Sequence, residues 1–282
     1  MRKEKKLERF KEIERTIIKN YRKKIWQKFI RGINEYDMIQ EGDKIAVCIS
    51  GGKDSMLLAK CFQELKRHGK IAFELVFLVM DKGYSSKNRK KIVDNAKLLN
   101  VPITIFETKI FESVDRIDDH PCYVCARMRR GYLYKEAQKL GCNKIALGHH
   151  FDDVIETVLM GMMYGAQFQT MMPKLHSTYH EGMELIRPLY YVKEADIMNW
   201  QNKNGLEFIK CACKITEKNE RSIDEFGSKR DEIKQLITEL RKKYKNIDMN
   251  IMRSTQNVNL NTLISYTKDG ETHHFLDEYD KI

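Results

Sequence analysis

Apolar positions keep two rhythms along this chain. Ile45, Val47 and Ile49, with Ala46 and Cys48 between them, form an unbroken run suited to a strand buried on both faces, while Met56, Leu57, Leu58, Phe62 and Leu65 recur at helical spacing. Gly69 stops that helix. The alternation then continues. IAFELVFLVMDKGY predicts a strand ending at Asp81, SSKNRKKIVDNAKLLNV a helix and PITIFETKIF a strand. PCYVCARMRRGYLYKEAQKLGC predicts a CxxC loop feeding a helix, NKIALGHH a strand and FDDVIETVLMGMMYG a helix. Such alternation predicts an α/β fold, a parallel sheet flanked by helices with ligands bound beyond the carboxyl ends of its strands. Ser50 to Ser55, Asp81 and Gly148 to Asp153 all fall on that edge.

The flanks read differently. Leu7, Phe10, Ile13, Ile17, Tyr21, Ile25 and Phe29 recur every three or four residues and predict one long amphipathic helix at the N-terminus. Lys214 to Lys245 is highly charged with sparse apolar residues at helical spacing, which predicts a surface helix, and the tail beyond Asn246 is polar. The expected organisation is a basic N-terminal helix over 1–35, an α/β domain over 36–213, and a helical extension with a tail over 214–282.

Charge sharpens the reading of the first segment. Lys and Arg number 51 against 40 Asp and Glu, a net of +11, and residues 1–31 hold thirteen of the basic residues with four Glu. That helix is therefore either a solvated face packed on the domain or a basic face for an RNA backbone. Its interleaved apolar residues are not those of a secretion signal. Glu4, Glu8, Glu12 and Glu14 do not suit a mitochondrial presequence. No apolar run approaches the ~20 residues needed to span a bilayer, so no membrane association is expected. Seven cysteines without an export signal suit a reducing, cytoplasmic compartment, where clustered thiols bind metal or do chemistry.

Candidate chemistry begins in the turn Ser50-Gly51-Gly52-Lys53-Asp54-Ser55. Adjacent glycines permit close backbone approach, and the amides opening a helix form a partly positive nest suited to phosphate. The spacing is not GxxxxGK[ST]. Asp152 and Asp153 open a later helix, either as capping residues or as carboxylates for Mg²⁺ against a polyphosphate. His149 and His150 precede them. Cys122 and Cys125 form a CxxC, and Cys211 and Cys213 a CxC far downstream; the set fits a zinc site, a redox pair or iron–sulfur ligands. Arg127, Arg129 and Arg130 beside the CxxC suit RNA or phosphate, or solvate their helix. Cys48, Cys61 and Cys142 are expected in the core or in structural roles, and Met160, Met162, Met163, Met171 and Met172 as helical core filling.

The hexapeptide resembles the PP-loop of ATP pyrophosphatases, and the chain as a whole resembles the TtcA family, the tRNA 2-thiocytidine synthetases, from about Tyr36 to Cys211. The motifs are DMIQEGDKIAVCISGGKDS, PCYVCARMRRGYLY, KIALGHHFDDVIETVLMGMMYG, MMPKL and IRPLYYVKEADI. The resemblance implies an adenine-nucleotide α-hydrolase-like Rossmann fold. It also implies ATP- and Mg²⁺-dependent adenylation of the O2 of a tRNA cytidine at position 32, with sulfur introduced through a three-cysteine 4Fe-4S cluster. It places ATP on Ser50, Gly51, Gly52, Lys53, Asp54, Ser55, Asp81 and Gly148, catalysis on Lys53, Asp54, Asp152 and Asp153, and the cluster on Cys122, Cys125 and Cys211. Lys210 stands where the family usually has a proline, and the CxC leaves Cys213 open as the third ligand. Implied partners are tRNA, a sulfur donor (a cysteine desulfurase or free sulfide) and a second copy in a homodimer. Two other readings stand beside this one, a PP-loop 2-thiouridine synthetase and a non-catalytic zinc-stabilised RNA-binding module. The first of them brings extra paired-cysteine zinc fingers for which seven cysteines leave no room, and the second has no need of the phosphate turn.

Overall fold

Lys44–Ile49 (β1) lies inside a six-stranded sheet ordered β3-β2-β1-β4-β6-β5. Glu74–Asp81 (β2), Ile103–Glu107 (β3), Lys144–Ala146 (β4) and Glu184–Ile186 (β6) run parallel to it, and Lys174–His176 (β5) closes one edge antiparallel to β6. The computed structural model describes residues 8–108, 110, 121–209 and 229–279, the backbone alone at 121–123 and 125–126.

Strand β1 is covered on both faces, as its apolar run requires. Ile45, Val47 and Ile49 join a core with Arg9–Ile18 (α1), Gln27–Glu35 (α2) and Lys53–His68 (α3), and the alternate residues Ala46 and Cys48 join a second core under Pro121–Lys139 (α5). Ser86–Leu98 (α4), Phe151–Tyr164 (α6) and Glu194–Lys203 (α7) complete the alternation. The chain winds outward from β1 through β2 to β3, then returns to place β4 on the other side of β1. The carboxyl ends of β1 and β4 therefore flank the switch point where such sheets bind ligands.

The N-terminal segment departs from the single helix expected. A π-helical turn, Arg22–Trp26, separates α1 from α2. The buried apolar residues Ile13, Ile17, Ile25 and Phe29 stand at multiples of four, and on an uninterrupted α-helix each step of four drifts by about 40°. The wider turn resets that drift and keeps one face on the core. Glu14 of α1 and the fully buried Lys60 of α3 form an ion pair, with Arg67 on the same carboxylate at 2.7 Å.

Two other expectations change. Met162, Met163 and Met172 are exposed rather than core filling. The CxxC lies in the first turn of α5 instead of a preceding loop, Pro121 being suited to a first helical position. Strands β5 and β6 were not anticipated. The surface helix expected over 214–245 is described from its latter half, Lys229–Lys243 (α8).

The chain divides into two compact units, one of residues 1–154 and 172–227, the other of 155–171 and 228–282. The second contains α8, Ile247–Ser254 (α9), the hairpin Ser265–Lys268 (β7) with Glu271–His274 (β8), and Leu276–Tyr279 (α10). Asp269 and Gly270, both at positive φ, turn the hairpin. Among the described residues no helix is long and apolar enough to cross a membrane.

Candidate functional site

The turn after β1 is held by its own serines. Ser50 N–H donates to Ser55 Oγ at 3.2 Å, Ser55 Oγ donates to the Gly52 carbonyl at 3.0 Å, and Gly52 N–H reaches Ser50 Oγ at 3.4 Å. Gly51 has φ +85°, and a Cβ there would stand 2.7 Å from Ile92 Cγ1 and 2.8 Å from Ile209 Cδ1. Both the angle and the crowding require glycine. Ile209 N–H in turn donates to the Gly51 carbonyl at 3.3 Å. Gly148, after β4, lies edge-on to the start of α3, where a Cβ would approach Ser55 N to 3.1 Å. The first-turn amides of α3 have no intrahelical acceptor and carry the positive end of the helix dipole.

Charged groups converge on that helix start. Lys53 Nζ donates to Glu194 Oε1 at 2.8 Å and to Asp54 Oδ2 at 3.2 Å. Burial works against the charge on Lys53, yet Asp54 and Glu194 together hold its pKa above the usual lysine value. Burial likewise pushes the Asp54 carboxyl above its usual range, against the pull of His150 and Lys53. Asp54 Oδ1 is buried with no hydrogen-bond partner, 3.8 Å from His150 Nε2.

Asp152 and Asp153 both have structural bonds. Asp153 Oδ2 accepts from His150 N–H at 2.9 Å, fastening the start of its own helix. Asp152 Oδ2 accepts from Glu194 N–H at 2.7 Å and so fastens the start of α7, which carries the residue that holds Lys53. Asp81 stands apart from these groups. Its Oδ1 accepts from Gly83 and Tyr84 N–H, both at 2.9 Å, and its Oδ2 lies 3.3 Å from Arg89. It shapes the β2–α4 turn, and Tyr84 from that turn donates to the Ser50 carbonyl at 3.3 Å.

The structure thus brings Ser50 to Ser55, Gly148, Asp152 and Asp153 together. It adds Glu194 to them and places Arg187 one strand further along the same edge; the sequence singled out neither, because the short strand before them was not legible. Cys122 and Cys125 stand three positions apart at the opening of α5. Cys211 and Cys213 lie outside the described residues. The remaining cysteines are poor ligands, since burial raises all three thiol pKa values, that of Cys48 to about 12. Among the described residues no three acidic, cysteine or histidine side chains form a ready metal cage. The buried, unpartnered Asp54 oxygen nevertheless fits Mg²⁺, which takes few carboxylates when phosphates and water supply its other ligands.

Residues 19–223 match the family model of the PP-loop domain. A tRNA-cytidine(32) 2-sulfurtransferase of Pelobacter propionicus is 33% identical over 243 residues, 85% of this chain and 87% of that one. Another, from Neisseria meningitidis, is 40% identical over 182 residues, 64% of this chain and 57% of its own length. Among solved structures, the U34-tRNA thiolase NcsA from Methanococcus maripaludis with its [4Fe-4S] cluster shares the fold at a TM-score of 0.61 and 20% identity, covering 88% of this chain and 78% of that one.

Proposed function

From the chain's membership of the tRNA-cytidine(32) 2-sulfurtransferase family of PP-loop enzymes, we propose that it adenylates the O2 of a tRNA cytidine, that of position 32, and exchanges this oxygen for sulfur. The observation that best supports the reading is the convergence of Lys53, Asp54 and His150 on a glycine turn at the switch point of the sheet. The amides of Gly52, Lys53 and Asp54 receive polyphosphate at the positive end of α3. Cytidine O2 attacks the α-phosphorus, the bond to the bridging oxygen breaks, and pyrophosphate leaves. Lys53 offsets the charge that develops on the departing group, an electrostatic contribution typical of phosphoryl transfer.

A sulfur nucleophile then attacks C2, and AMP leaves with the electron pair of the C–O bond. Asp54, with Asp152 beside it, would hold Mg²⁺, which would neutralise polyphosphate charge. Cys122, Cys125 and Cys211 are the residues that would hold a 4Fe-4S cluster, whose chemistry there is to supply reduced sulfur. Ile209, two residues before Cys211 in sequence, is already bonded to the phosphate turn. The sulfur comes from a cysteine desulfurase or free sulfide, and the enzyme works in the cytoplasm as a homodimer.

The test is an anaerobic reaction of the full chain with ATP, Mg²⁺, sulfide and unmodified tRNA, followed by nucleoside mass spectrometry. The expected product is 2-thiocytidine, with one AMP per sulfur introduced. A thiolated uridine instead would move the enzyme to the thiouridine class. A protein that binds tRNA and zinc but makes no AMP would leave only an RNA-binding module.

A further inference from the structure

We infer that Arg187 and Arg130 form a phosphate-binding pocket beside the cysteine-bearing helix, distinct from the glycine turn, and that its ligand is a phosphodiester of the RNA strand. The inference rests on the reading of tRNA as substrate.

Arg187 directly follows β6, at the same edge of the sheet as the candidate site but one strand beyond β4. Residues two apart on a strand share a face, and Leu185 belongs to the core under α5 with Tyr134. Arg187 therefore lies on the α5 side, whereas the glycine turn feeds α3 on the other. Arg130 stands one turn before Tyr134 on α5, toward the end that carries Cys122 and Cys125. The two histidines after β4 divide between the places, His150 beside Asp54 and His149 beside Arg187.

Arg187 is only 6% exposed. Its Nε donates to His149 Nδ1 at 3.4 Å and its Nη1 to the Met172 carbonyl, two acceptors for a group with five N–H donors. Among the described residues, no carboxylate lies within ion-pair distance of it. A guanidinium this buried ordinarily has an anionic partner, because an uncompensated charge away from water is unfavourable. The nearby charges do not supply one. Burial, then the neighbouring Arg130, push the Arg187 pKa down to about 10, and Tyr134, Tyr190 and Asp153 offset this only in part. A guanidinium this buried, with N–H donors to spare and the charge of Arg130 nearby, makes a site an oxyanion relieves. Phosphate suits it best, since guanidinium forks match its oxygens.

Phosphate here has two sources, the RNA strand and the polyphosphate of ATP. The pocket's place on the α5 side favours RNA, since an RNA whose cytidine reaches both the glycine turn and the cysteine helix passes its backbone along this edge.

The full-length protein tests it through Arg130→Ala, Arg187→Met and Arg187→Lys. Equilibrium binding of an unmodified tRNA transcript is measured from low to moderate salt, and binding of inorganic pyrophosphate separately. Arg187→Met and Arg130→Ala should each weaken tRNA binding about tenfold and lower the salt slope by about one, leaving pyrophosphate binding unchanged. Arg187→Lys should keep the slope and recover part of the affinity. Loss of pyrophosphate binding with tRNA binding intact would overturn the RNA assignment, and unchanged binding of both would overturn the pocket. Arg130 is exposed, so its variant decides the matter if Arg187→Met fails to fold. None of these measurements requires turnover. A wild type that makes no AMP would refute the proposed function and leave the pocket to be judged on binding alone.

Discussion

Lys53 of the glycine turn and Glu194 of α7 meet at 2.8 Å, although 141 positions separate them. The lysine proposed for phosphate is thus held by a carboxylate that, on that proposal, an incoming polyphosphate would displace. Lys53→Ala should lower AMP formation in the presence of tRNA by about 10²–10³-fold, the usual effect of removing one group that stabilises a charged transition state. Glu194→Gln removes the competing anion and should lower the KM for ATP about fivefold, equivalent to ~1 kcal/mol. A raised KM would instead make Glu194 a partner of the cation that travels with ATP.

Asp54 gives a stability that depends on pH. Its folded pKa is raised, so the folded state holds its proton more tightly than the unfolded chain does. Stability is therefore lost as pH rises from the ordinary aspartate value of 3.8 through the raised folded value. Asp54→Asn should melt higher than the wild type at pH 8, and the gap should close as pH falls toward 4. Catalysis should fall in the same variant. A lower melting temperature at pH 8 would contradict the sign.

Glu14 is the main counter-charge of a lysine with no exposed surface. Glu14→Gln should destabilise the protein by about 3–5 kcal/mol, as expected when one partner of a buried pair is lost. In the wild type the Glu14 pKa is lowered: burial opposes this, but bonds from Arg67 and Lys60 outweigh it. This part of the stability should persist above the ordinary glutamate value of 4.5 and disappear as pH falls below it. Differential calorimetry across pH 3–7 checks both.

Removal of the whole N-terminal segment would strip that ion pair and so cannot isolate RNA contact. Arg22 and Lys23 are better placed: they are exposed on the π turn and have no ion pair among the described residues, whereas Lys24 and Lys28 lie 3.6 Å and 3.7 Å from Asp196. The double variant Arg22→Glu/Lys23→Glu should weaken tRNA binding and flatten its salt dependence while leaving the melting temperature and ATP binding unchanged. Unaltered tRNA affinity would mark the segment as scaffold.

Anaerobically purified protein should contain iron and acid-labile sulfide. Both should be lost in Ala variants of Cys122, Cys125 and Cys211 and kept in those of Cys48, Cys142 and Cys213. Loss at Cys213 with retention at Cys211 would move the third ligand, and stoichiometric zinc without iron would remove the cluster.

Much of the first unit was legible because its signals are local. The unbroken run Ile45–Ile49 and the SGGKDS turn fix strand, loop and helix within a dozen residues. Glu194 and Arg187 were not legible, since their importance comes from the three-residue strand β6 and from a partner far away in sequence. A three-residue strand carries no periodicity to detect. The π turn was hidden in plain spacing: strict fours at Ile13, Ile17, Ile25 and Phe29 look helical until their drift is counted. The hairpin turn Asp269-Gly270 had a standard signature that the polar residues around it obscured. The methionines misled because Met suits a core as well as a surface.

The bond from Ile209 N–H to the Gly51 carbonyl has a bearing on timing. Gly51 belongs to the turn proposed to take up nucleotide, and Ile209 precedes Cys211 by two residues. A turn that shifts when ATP enters must either carry residue 209 with it or break that bond. With Cys211 as the proposed cluster ligand, nucleotide at the turn and sulfur at the cluster would be linked through this bond. Sulfur offered before the base is activated has no productive acceptor, so a chain wired in this way can keep its two half-reactions in order.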